Sequence, residues 1–208
     1  MLDITGIILA GGQGRRMAKL DNGSSNKAIV EKGLISFLNQ PMIQHVIKRV
    51  APQVSEIVIN ANREIEEYAA LGYKIIQDEI SGYAGPLAGL HAGMTAAKHS
   101  YVLTVPCDSP LAASDLAQRL GASLIENNAD IAVAKTGTQA HPVFCLCNKN
   151  LLSNLEHYLQ NGGRKFDTWY RTLNFVEVTF DDNPLAFTNI NTPEDLIRLE
   201  AIITSQQI

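Results

Sequence analysis

Gly11, Gly12 and Gly14 interrupt the chain directly after an apolar run at residues 4–10, and Arg15, Arg16 and Met17 follow them. Residues without a β-carbon let a phosphate approach successive backbone N–H groups, and two guanidinium groups add matching charge. The spacing fits neither familiar phosphate loop. A Walker-type loop would end in Gly-Lys-Ser/Thr, and a dinucleotide fingerprint would need glycine where Met17 stands. A tight turn without a ligand is the alternative reading. A second feature is the run 101–110, in which an apolar segment ends in Asp108 between Pro106 and Pro110. A rigidly placed carboxylate suits magnesium, which takes one or two protein carboxylates and completes its shell with waters and phosphate oxygens. The alternative is that Asp108 caps the next turn. Asp78 and Asn60 occupy similar places after the apolar segments 74–77 and 56–59.

Other polar residues are less eloquent. The small residues Gly85-Pro86-Leu87-Ala88-Gly89 open a helical pattern whose free N–H groups and positive dipole end would face a ligand, or simply allow close packing on a sheet. His45 and His91 fall on helical patterns and read as packed or solvated side chains. His141-Pro142 precedes a strand-like run, and no serine or cysteine partner suggests a triad. Arg164, Lys165 and Arg171 offer positive charge, and Asn189 and Asn191 offer amides, for a second substrate; solvated helix charges and structural turns are the alternatives.

These residues need a scaffold that gathers them. With 208 residues, 46% hydrophobic and 18% charged, the chain reads as one folded domain spanning 1–208. The net charge of −4 argues against general nucleic-acid binding by phosphate neutralisation, and no apolar run is long enough for a membrane span. Without a leader-like start or evenly paired cysteines, a reducing cytoplasmic setting is expected, with Cys145 and Cys147 on one face of a buried strand. The pattern predicts strands at 4–10, 56–60, 74–77, 101–105, 131–135, 143–147 and 175–178. Helices are predicted from Pro41, at 65–71, 86–98, 115–126 capped by Ser114, 150–160, 164–172, and after Thr192-Pro193-Glu194-Asp195. Such alternation implies an α/β fold of three layers, a mostly parallel sheet with helices on both faces, whose ligands bind beyond the carboxyl ends of the strands.

Leu9-Ala10-Gly11-Gly12 with Arg16-Met17, Asn60-Ala61-Asn62-Arg63, Gly85-Pro86-Leu87-Ala88-Gly89, Pro106-Cys107-Asp108 with Pro110, His141-Pro142 and Asn189-Ile190-Asn191-Thr192-Pro193-Glu194-Asp195-Leu196 together resemble the molybdenum cofactor guanylyltransferases. These form a molybdopterin branch of the sugar-nucleotidyltransferase-like superfamily, and the likeness runs the length of the chain. It implies a Rossmann-like nucleotidyltransferase fold and transfer of GMP from GTP to the terminal phosphate of molybdenum-loaded molybdopterin, with magnesium as cofactor. By motif, Leu9, Ala10, Gly11, Gly12, Lys32, Asn60, Asp78 and Asp108 would hold GTP, with Asp108 on the metal and Arg16, Lys32 and Asp108 catalytic. Relatives carry their lysine only a few residues beyond the Arg-Met pair. Here the segment 21–26 intervenes, and the spacing from Lys32 to Pro41 favours Lys32 over Lys27. Asn189, Asn191 and Arg164 would serve the acceptor, and molybdoenzymes with their chaperones would be downstream partners. A cytidylyl- or sugar-phosphate transferase, or a non-catalytic nucleotide-binding module delivering cofactor, are the competing expectations.

Overall fold

The computed structural model describes residues 2–12, 31–80 and 85–206. A seven-stranded sheet runs in the spatial order β5 (Lys74–Ile76), β4 (Glu56–Asn60), β1 (Ile4–Leu9), β6 (Tyr101–Pro106), β8 (Gln139–Asn148), β7 (Ile131–Thr136), β9 (Phe175–Thr179). All neighbours pair in parallel except β8, which runs against both β6 and β7. The chain leaves β1 toward β4 and β5, then returns to its other side as β6. That reversal opens a crevice at the carboxyl ends of β1 and β6.

Period-2 alternation in the strands accounts for the two covering layers. Ile8, Ile59, Leu103 and Leu146 face α1 (Met42–Val50) and α4 (Leu116–Glu126), whereas Ile7, Val58, Val102 and Cys145 face α3 (Pro86–Ala96), α5 (Leu152–Gln160) and α6 (Phe166–Tyr170). Tyr68 of the short α2 (Ile65–Ala69) lies buried with the first group. Cys145 and Cys147 do share one face, and all three cysteines are buried and free. The last helix, α7 (Pro193–Gln206), begins with a reciprocal cap: Thr192 Oγ1 accepts the Asp195 N–H, and Asp195 Oδ2 accepts the Thr192 N–H, both at 3.1 Å. No helix among the described residues is long and apolar enough to cross a membrane.

Several local expectations differ. Ser114 does not cap α4; the capping position is Asp115, without a side-chain bond, and Gln53 Oε1 accepts the Ala117 N–H at 2.9 Å in its place. Pro41 precedes the helix instead of beginning it, because Ser36–Phe37 (β2) and Gln40–Pro41 (β3) form a small hairpin turning through Leu38 and Asn39, both at positive φ. Glu200 of α7 accepts the Leu38 N–H at 2.8 Å, so the hairpin and last helix brace each other. His141-Pro142 lies inside β8, at a register shift between Val133 and Ala134 of its partner, where a proline missing its N–H is tolerated. The helix expected at 164–172 is confined to α6, Phe166–Tyr170.

Helix and sheet pack tightly at Gly93 of α3. An added β-carbon there would stand 2.2 Å from Ile7 Cδ1 and within 2.9 Å of two more atoms of that buried side chain. Gly93→Ala should therefore lower unfolding free energy by about 1–3 kcal/mol through overpacking, measured by urea denaturation.

Candidate active site

Parallel register brings the chemistry together. Leu9 stands opposite Asn60 on one side and Pro106 on the other. The ladder continues one residue beyond the strands: Ala10 N–H donates to Asn60 O at 2.8 Å and Cys107 N–H to Leu9 O at 3.0 Å. A cavity of about 520 Å³ opens over these ends. Leu9, Ala10, Gly11, Gly12, Lys32, Asn60, Asp78 and Asp108 all line it, together with Asn62, Gly85, Pro86 and Asn189. Arg16 and the alternative lysine, Lys27, lie outside the described residues.

Asp78 is held by amides. Asn60 Nδ2 donates to its Oδ1 and Asn62 Nδ2 to its Oδ2, each at 2.9 Å, while Asn62 Oδ1 accepts the Asp78 N–H at 2.9 Å. Asn60 is nearly inaccessible, and the first turns of α3 rest directly on it. A β-carbon at Gly89 would meet Asn60 Oδ1 at 2.4 Å, so this position in the Pro-Leu-Ala-Gly run is a packing requirement. Gly85, with φ +64° and ψ −152°, adopts a backbone region that other residues rarely enter.

Asp108 is the other acidic wall. Lys32 Nζ donates to its Oδ2 at 3.0 Å, and also to Asn191 Oδ1 at 2.5 Å. The Asp108 main chain is fixed by Ile190 N–H, which donates to its carbonyl at 2.9 Å. Its remaining oxygen, Oδ1, is buried with no hydrogen-bond partner among the described residues. A desolvated carboxylate oxygen without a partner is costly unless a ligand completes it. This hard donor beside an open cavity fits a magnesium ion that takes the rest of its shell from water and phosphate. Among the described residues no group of three His, Cys, Asp or Glu side chains converges as a complete protein cage. Neighbouring Cys107 is no nucleophile: burial first, and the Asp108 charge second, push its thiol well above the ordinary range.

Two residues that carry the site's walls were missed as functional in the sequence. Glu31 is buried beside Lys32, and Arg63 pairs with it through Nε at 2.5 Å while donating from a terminal nitrogen to Gly12 O at 3.0 Å. Burial pushes the Glu31 carboxyl upward, and the Arg63 guanidinium draws it back only in part. The signal available was the Asn-Ala-Asn-Arg run, whose last member had no assigned role.

The proposed acceptor residues part company. Asn189 and Asn191 line a second cavity of about 420 Å³ that shares Val143 and Asn189 with the first. His141 lies there stacked on Phe187, centroids 4.8 Å apart, with Nε2 2.8 Å from Thr136 Oγ1, and burial lowers its pKa. Arg164 is among the lining residues of neither cavity. Its Nη1 donates to the carbonyls of Leu159 and Gly163 at 2.9 and 2.7 Å, bracing the turn that follows α5. Of the helical histidines, His91 is buried and His45 bonds the Phe37 carbonyl at 2.8 Å.

A mostly parallel sheet with this strand-end pocket has the architecture of an α/β nucleotidyltransferase. Residues 6–173 match the MobA-like NTP transferase domain, and the chain belongs to that family. It is 45% identical over 202 residues to a molybdenum cofactor guanylyltransferase of Shewanella sediminis, covering 97% of this chain and 98% of that relative. A relative of the same name from Polynucleobacter asymbioticus is 45% identical over 205 residues, with the same coverage. In fold it is similar to the molybdopterin-guanine dinucleotide biosynthesis protein A of Archaeoglobus fulgidus, with TM-score 0.77, 23% identity, and 97% and 99% of the two chains covered.

Arg63→Ala would leave Glu31 buried without its counter-charge. Stability at pH 7 should fall by about 1–3 kcal/mol, and adding Glu31→Gln should recover most of the loss; thermal unfolding of the single and double variants checks both.

Proposed function

We propose that this chain transfers GMP from GTP to the terminal phosphate of molybdenum-loaded molybdopterin, forming the guanine dinucleotide cofactor and pyrophosphate. The observation that carries the reading is Oδ1 of Asp108, buried without a partner among the described residues, beside Lys32 in the pocket that the Leu9–Gly12 turn also lines. The names of the full-length relatives support the choice of base and acceptor.

In this reading the backbone of Leu9, Ala10, Gly11 and Gly12 lies along the phosphates, and Asn60 with Asp78 holds the nucleoside. Guanine faces the turn of the opening loop and the Gly85–Gly89 run, where carbonyls and amides can meet its N–H edge. A terminal phosphate with a second pKa of about 6 is largely ionised at neutral pH, so the acceptor needs no base. Its oxygen attacks the α-phosphorus of GTP, a new P–O bond forms, and the bond to the bridging oxygen breaks, with the electron pair leaving on pyrophosphate. The chain's task is alignment and charge neutralisation between two anions. Lys32 supplies a cation to the triphosphate, and Arg16 a second. Asp108 would hold magnesium, which supplies further neutralisation of the triphosphate. Asn189 and the second cavity serve the acceptor, while the position of Arg164 at the end of α5 gives no support for a direct contact. A GTP-consuming step of this kind belongs in the cytoplasm, which also suits three unpaired thiols. Molybdoenzymes and their chaperones would receive the product.

Pyrophosphate release with GTP and molybdopterin tests the proposal. Asp108→Asn should reduce turnover on the order of a hundredfold or more, and Lys32→Ala steeply, while Lys27→Ala changes it little. Equal losses from both lysine variants would reassign the phosphate ligand. In competition, GTP should outpace CTP and UTP, and hexose 1-phosphates should fail as acceptors. GTP binding without pyrophosphate formation would mark a carrier module instead.

A further inference from the structure

Asn191 faces two ways. It borders the second cavity, where its amide could meet the acceptor, yet its Oδ1 is engaged with Lys32. A lysine carries a long, freely rotating stem and a compact charge, so one carboxylate contact fixes its head poorly. Here the head has two fixed points, Asp108 Oδ2 and Asn191 Oδ1. Asn191 is itself locked: Asp195 Oδ2 accepts its N–H and that of Thr192, each at 3.1 Å, within the cap of α7. Burial alone would raise the Asp195 pKa, but those N–H groups and the Thr192 hydroxyl prevail and lower it, as an occupied cap requires. Asn189, two residues earlier, takes different company, accepting from the Ser109 hydroxyl at 3.1 Å.

We infer that Asn191 is a positioning residue for Lys32, anchored by the α7 cap, and that it serves the nucleotide half of the reaction and not the acceptor half. Holding Lys32 against Oδ2 keeps the cation from Oδ1, the buried oxygen that has no partner among the described residues. The terminal Asn-x-Asn-Thr-Pro-Glu-Asp motif thereby acts on a lysine 159 residues away in sequence. The inference rests on the pocket being a GTP site.

The two roles for Asn191 separate in a measurement without acceptor. Equilibrium binding of GTP with magnesium to the full chain, followed by calorimetry, should weaken about tenfold in Asn191→Ala, the equivalent of about 1.4 kcal/mol. Asn191→Gln, which keeps an uncharged amide oxygen for Lys32, should restore part of the affinity. In a Lys32→Ala background, Asn191→Ala should cost little more, because its target is gone. Unchanged GTP affinity in Asn191→Ala with a raised KM for molybdopterin would overturn the inference and make Asn191 an acceptor contact. Equal losses with and without Lys32 would also overturn it. If the unmodified protein fails to bind GTP at all, the underlying reading of the pocket falls, a result distinct from either.

Discussion

The site depends on one constraint, the register of three parallel strands. Because Leu9 lies between Asn60 and Pro106, and the ladder runs on through Ala10 and Cys107, the glycine turn, the Asn60 amide and the Asp108 carboxylate end at one level. A one-residue slip of β4 or β6 would reverse the alternation that buries Ile57, Ile59, Leu103 and Val105 against one helical layer. The hydrophobic core therefore enforces the same register that assembles the pocket. Packing and chemistry are coupled again at Gly89, where α3 can reach Asn60 only because no side chain intervenes.

Within that frame the charges are handled unequally. Asp78 has both oxygens occupied by neutral amides, which orient it without supplying a counter-charge. Glu31 is buried with Arg63 as its partner, a pairing that joins the chain just before Lys32 to the carbonyl of Gly12. Of these three carboxylates, Asp108 keeps one buried oxygen without a partner among the described residues, where the Tyr68 hydroxyl and His91 Nδ1 are also buried without one. Polar groups are rarely left so in folded proteins, and in the proposed reading this oxygen would be completed by the nucleotide's metal.

The features written in local pattern were legible in advance. Apolar runs ending in Gly11-Gly12, Asn60, Asp78 and Asp108 disclosed both the alternating fold and the strand ends that converge. Four features were not legible. Arg63 meets Glu31 and Gly12 across long sequence separations, and no local periodicity encodes such a meeting. The β2–β3 hairpin turns through Leu38, a residue seldom found at positive φ, so turn chemistry gave no cue. Pro142 disguised the first half of β8 because the register shift that admits it is a tertiary property. Arg164 read as a cation for the acceptor or a solvated helix charge, whereas its Nη1 binds the carbonyls of Leu159 and Gly163, a local turn contact that no periodicity announces.

The crystal structure of the protein with magnesium and a non-hydrolysable GTP analogue would test the central claim most directly. The account requires the triphosphate to lie along the Leu9–Gly12 turn, with the ion on Asp108 Oδ1. A nucleotide bound elsewhere, with that oxygen still bare and the strand-end pocket vacant, would contradict it.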